Sequence, residues 1–151
     1  MAQREQKSCR IAYNRCQMSE PITIYMVKAE ESLLGAESEV AQGRYNNAVN
    51  RCYYACFQAA ISALHQASLS PPGGRGDWSH AFVQSAFVGQ LINRRKLYTT
   101  GLRQVLARNL TLRHKADYDL DLVTQRQAER AVQRTRDFVG AIREQIESHE
   151  G

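Results

Sequence analysis

The chain has 151 residues, of which 43% are aliphatic, aromatic or cysteine and 23% are charged, an ordinary balance for a water-exposed globular chain. That length fits one domain with a core that needs no staples, and three prolines leave long stretches without a helix breaker. A net charge of +5 and a pI near 9.2 permit a polyanionic partner without requiring one.

No apolar run approaches the roughly 18 residues of a membrane span. The first eighteen residues are basic and polar and lack the apolar centre of a signal peptide. They show no helical or strand period, so residues 1–18 read as a disordered leader, and the folded domain reads as residues 19–148. Met18 directly precedes the folded segment and is a candidate true start, which N-terminal mass analysis of native protein would test. Cys9 and Cys16 fall in the leader. Cys52 and Cys56 lie four apart in an apolar segment and read as small core residues on one helical face. No CxxC and no Cys/His spacing suited to zinc occurs, so no metal or other cofactor is expected, and a reduced, cytoplasmic setting fits best.

The first helix is expected over about 21–42. Pro21 suits its first turn, Met26, Ala29, Leu33, Ala36 and Val40 form an apolar stripe, and Gly43 stands as a C′ stop. The second, about 45–67, carries two adjacent stripes. One is Val49, Cys52, Cys56, Ala60 and Ala63; the other is Tyr53, Phe57, Ile61 and Leu64. So wide an apolar arc predicts a helix covered on most sides. A loop follows from Ser68 to Asp77, containing PPGGRG. Its glycines beside an arginine could touch phosphate, but the GxxxxGK[ST] pattern is missing.

The third helix is expected over about 79–97, capped by Asp77 or Ser79, with Phe82, Val83, Ala86, Phe87, Val88 and Leu91 facing inward. His80 sits in its first turn, either as a structural hydrogen-bonder or as a site residue. The fourth is expected over about 101–117, with Leu102, Val105, Leu106, Leu110 and Leu112 inward. The fifth starts at Thr124, where Gln127 completes a capping box, and keeps helical period through Ile146. No segment alternates as a strand would. The fold class is therefore all-α, an up-and-down bundle of four to five helices.

One stripe of the fourth helix is unusual. Leu106, Leu110, Arg113 and Asp117 stack at spacings of four, three and four, so a core-facing row turns charged. Arg113 and Asp117 read either as a solvated intrahelical ion pair or as an arginine held in a cleft for an anionic ligand.

Three pieces stand in a recognisable order: Tyr45-Asn46-Asn47-Ala48 running into Arg51-Cys52-Tyr53-Tyr54-Ala55-Cys56-Phe57; Ser79-His80; and Arg113-His114-Lys115-Ala116-Asp117-Tyr118. The ordered set resembles HEPN-domain proteins, in the small single-domain branch marked by YYA on the second helix and RxxADY at the end of the fourth. The resemblance covers about Glu20 to Ile146. It implies a helical bundle that forms a homodimer, with a composite cleft where the motif helices of two copies meet. In many HEPN proteins that cleft is a metal-independent ribonuclease site of toxins or defence effectors, and a minimal nucleotidyltransferase often acts as the antitoxin partner. It can silence such a toxin by attaching AMP to a tyrosine beside the motif, a place comparable to that of Tyr118.

The chain departs from the active pattern, an arginine followed after four to six residues by histidine. Beyond Arg113 those places hold Tyr118, Asp119 and Leu120. Arg108 and His114 match literally, but Arg108 shares a polar face with Gln104, Thr111 and Lys115, so Arg113 is the better family arginine. The catalytic candidates are Arg113, His114, Asp117 and Tyr118, with His80 and Arg108 as substrate-binding candidates. Arginine suits the developing phosphorane charge and histidine the 2′-hydroxyl proton. Tyrosine, with a reference pKa near 10, is a poor base. The alternative is a non-catalytic module that partners a nucleotidyltransferase or binds nucleotide or RNA.

Overall fold

A computed structural model describes residues 20–73 and 77–149. The leader, its candidate start and residues 74–76 of the Gly-rich loop lie outside the described residues. Five helical segments follow in order: α1 Glu20–Ala41, α2 Tyr45–Gln66, α3 His80–Ala86 continuing as a π-helix over Phe87–Arg94, α4 Val105–Tyr118 and α5 Gln125–Ser148. No strand occurs among the described residues, and none of their helices is long and apolar enough to cross a membrane.

The second helix is the hub. It packs on α1, α4 and α5, and both expected stripes are buried apart from half-buried Phe57. Fully buried Ala48, Ala55, Ala59 and Ala60 let the neighbouring backbones come close. Around it, Leu64, Phe87, Leu91, Phe138 and Ile142 form the large core cluster. Val49, Cys52, Ala128 and Ala131 belong to a smaller one at the other end.

The short link between α1 and α2 makes them an antiparallel hairpin. Gly43 lies at φ +74, where Arg44 N donates to Glu39 O and Gly43 N donates to Val40 O. This is a Schellman closure, and it satisfies carbonyls that α1 would leave open. A Cβ at Gly43 would meet nothing, so Gly43→Ala carries only the backbone penalty. The expected loss is about 1 kcal/mol, read as a lowered urea midpoint with unchanged m-value.

The other termini follow the side-chain chemistry. Ser79 Oγ accepts from Phe82 N at 3.1 Å, which makes Ser79 the cap of α3. Thr124 and Gln127 form the expected capping box.

Two departures are informative. The expected third helix is α only to Ala86 and then widens to π winding, with Arg95 N donating to Gln90 O and Lys96 at φ +53. The wider turn keeps Phe87, Leu91 and Ile92 all in the core, a register that a 3.6-residue period does not deliver. The fourth helix begins at Val105, later than expected, after a 3₁₀ turn at Thr100–Leu102. Leu102, Leu110 and Leu112 are only half-buried there, and Asn109 takes the fully buried place instead.

Candidate functional site

Arg113 projects from α4 across α2. Its guanidinium carbon lies 5.2 Å from the Tyr53 ring centre and 5.0 Å from that of Tyr54. Consecutive residues on a helix diverge by about 100°, so the two rings form a corner that holds the cation by its attraction to aromatic faces. The ion pair is also present, with Arg113 Nε 3.5 Å from Asp117 Oδ2. The arginine is thus paired along its own helix and also packed against two aromatic rings of α2.

Asp117 is itself held, because Asn50 Nδ2 donates to its Oδ1 at 3.1 Å. Arg51 Nη2 donates to Asn50 Oδ1 at 3.2 Å, and the Arg51 guanidinium covers the Tyr54 ring at 5.0 Å. Two arginines thus share one tyrosine. The second face of the site comes from α3. The Tyr53 hydroxyl hydrogen-bonds His80 Nδ1, and the His80 ring rests 5.1 Å from the Tyr53 centre and 5.0 Å from that of Phe57.

His80 is an exposed residue, but partial desolvation of its ring against Tyr53 and Phe57 pushes its pKa down, and the charges of Arg113 and His114 push it the same way. The imidazole is thereby biased toward its neutral, proton-accepting form. Burial raises the Tyr53 pKa despite Arg113, so that hydroxyl keeps its proton. Burial also pushes Cys52 up to about 11 and Cys56 to about 12, which removes both as thiolate nucleophiles at neutral pH.

Burial depresses His65 in the same direction as His80. Between their lowered folded pKa values and the unfolded value near 6.5, the unfolded chain binds more protons. Stability contributed by these histidines therefore rises with pH through that window and is fully present above it. Urea midpoints should fall on acidification from about pH 7 to 5, and the fall should be shallower in His65→Gln/His80→Gln; an equally steep fall would contradict the sign.

Of the sequence candidates, Arg113, Asp117 and His80 converge on one cluster. His114 is exposed on the next step of α4, 5.8 Å ring-to-ring from Tyr118, and its charge reaches His80. Tyr118 ends the helix with 78% of its surface exposed. Arg108 stands apart. The helix runs unbroken through Leu110, so Arg108 stays on the polar face and lines a groove with Arg130 and Arg134. Sequence reasoning did not single out Asn50 and Arg51 as site residues. Asn50 precedes Tyr53 and Tyr54 by three and four residues, the spacing that puts it on their face.

Comparison with known proteins gives the family. A HEPN domain profile matches residues 23–145. The chain belongs to the HEPN-domain family. It is also 28% identical over 121 residues to a Methanocaldococcus jannaschii protein named "Putative toxin MJ0605", an alignment that covers 78% of this chain and 83% of that one. Within a HEPN chain, the YYA tyrosines and the RxxADY arginine form a single unit here: Tyr53 and Tyr54 hold Arg113, and Asp117 locks it.

Proposed function

We propose that this HEPN protein is a toxin-like, metal-independent endoribonuclease that works as a homodimer. The observation that carries the reading is the convergence of Arg113 and His80 on Tyr53. In this reading His80, which meets Tyr53 from the start of α3, takes the place of the histidine missing after Arg113 in sequence. In this scheme the 2′-oxygen of RNA attacks the adjacent phosphorus, the bond to the 5′-oxygen breaks, and a 2′,3′-cyclic phosphate remains. His80 takes the 2′-hydroxyl proton on Nε2 while its Nδ1 proton is held by the Tyr53 oxygen. Arg113 balances the charge that grows on the phosphorane. His114 assists by returning a proton to the departing oxygen, and Asp117 orients Arg113.

The loop beyond α4 supports the dimer. Leu120 is fully exposed and Leu122 is 74% exposed, beside Tyr118 and next to the site, where a second copy would cover them.

Two observations favour a second reading, a non-catalytic module that partners a minimal nucleotidyltransferase. Arg113 already has Asp117 as its counter-ion, and exposed Tyr118 is open to a modifying partner. The deciding test is incubation of purified protein with total RNA in EDTA. Fragments with 2′,3′-cyclic ends are expected from the wild type. Intact RNA from a folded dimer would move the assignment to the partner module, and a gain of AMP mass with ATP and the partner would support it.

A further inference from the structure

The charge of this chain is concentrated a second time, away from Arg113. Helices α4 and α5 leave between them a solvent-open groove of about 550 Å³, lined by Arg108, Arg130 and Arg134 with neutral Gln104, Thr111 and Gln127. A second cavity of about 590 Å³ shares Arg108 and Arg134 and adds Arg103. Among the described residues, the only carboxylate lining either cavity is that of Asp137, which accepts from Gln133 Nε2 at 3.0 Å.

These arginines are not neutralised. The ion pairs of the described residues engage Arg44, Arg113, Arg136 and Arg143, and none engages Arg108, Arg130 or Arg134. One of them is positioned by the core: Arg134 Nε donates to Oδ1 of the fully buried Asn109 at 3.0 Å, which leaves its terminal nitrogens for the groove. Burial, and next the charge of Arg108, lower the pKa of Arg134. Like charges held together in this way gain from an anion placed between them.

The occupant follows from shape and chemistry. Arg130 and Arg134 are one helical turn apart, a rise of about 6 Å, and Arg108 faces them from the other wall. A track of repeated cations suits a chain with repeated anions better than a single small ion. No aromatic ring of the described residues lines either cavity, so stacking on bases has no partner there, whereas guanidinium forks match phosphate. We propose that the α4–α5 groove binds the phosphodiester backbone of RNA through Arg108, Arg130 and Arg134. This rests on the RNA reading of the Arg113 cluster, and it places substrate contacts on a different face of α4 from the chemistry.

The test is anisotropy of a labelled short single-stranded RNA in EDTA, with Arg113→Ala as parent so that the probe stays intact. Arg108 and Arg130 are exposed, so Arg108→Gln/Arg130→Gln should fold, and a matching far-UV spectrum and melt would verify it. Removing two phosphate contacts should lower the slope of log K against log salt by about 1.4, and affinity by about tenfold. Arg108→Glu/Arg130→Glu should bind more weakly still. Unchanged slope and affinity in both variants overturn the proposal, as does a parent that prefers polyglutamate to RNA. Wild-type cleavage is scored separately. Binding with the expected slope but no cleavage would sink the ribonuclease reading and keep the groove. Cleavage with a slope indifferent to Arg108 and Arg130 would do the reverse.

Discussion

Arg113→Ala should reduce RNA cleavage by about 100- to 1000-fold, the usual loss when one preorganised donor is removed from a developing oxyanion. Its effect on stability should be much smaller. The ion pair with Asp117 is partly exposed and contributes about 0.3–0.5 kcal/mol. The cation over two rings adds roughly 0.5–2 kcal/mol. Their sum stays well below the net stability of a domain, about 5–15 kcal/mol. Single-turnover cleavage in EDTA and a urea melt on the same preparation separate the two effects. Arg113→Lys is the sharper control, because it keeps the charge and loses the planar fork. If the fork matters, the lysine variant remains folded and stays slow. A cleaving Arg113→Ala protein would remove Arg113 from the chemistry. A slow variant whose melt has dropped by more than these terms allow would make Arg113 a structural residue.

The helical architecture was legible because burial dictates it. The stripe Met26, Ala29, Leu33 and Ala36 and the double stripe of α2 have one solution, a bundle with α2 inside. Caps were readable for the same reason, since Ser79 and Thr124 satisfy amides next to them in sequence. The π winding after Ala86 was not, because it answers to Phe87, Leu91 and Ile92 meeting a core built by other helices. The site was half legible. Arg113 and Asp117 are neighbours on one helix, so their pairing follows from spacing alone. The link from His80 to Tyr53 joins residues 27 apart across a loop, and no local period encodes it. A motif search along α4 therefore finds no histidine beside Arg113, while packing sets His80 against Tyr53, the ring that Arg113 also covers. Arg108 is the converse case: its spacing to His114 fits the family pattern, but helix geometry, already readable in the sequence, sets it with Gln104 and Thr111 on the polar face toward α5.

Asn109→Leu should lower stability by about 2–3 kcal/mol although it puts an apolar side chain of similar size into the core. Asn109 is 1% exposed and makes three contacts: Nδ2 donates to Thr135 Oγ1 at 2.9 Å and to Cys56 Sγ at 3.2 Å, while Oδ1 accepts from Arg134 Nε at 3.0 Å. Thr135 keeps a partner after the change, because its hydroxyl donates to Ala131 O at 2.7 Å. Arg134 does not, and a half-buried guanidinium left without its acceptor carries most of the penalty. For a chain of this length the melt should fall by roughly 4–12 °C. The logic has a second arm. If the loss comes from the stranded cation, Arg134→Met should cancel part of it, and Asn109→Leu/Arg134→Met should be more stable than Asn109→Leu by about 1 kcal/mol or more. Purely additive melts would place the loss in packing around Cys56 and Thr135 instead. The same double variant also lacks one cation of the α4–α5 groove, so it should bind RNA with a shallower salt slope even where its stability is restored.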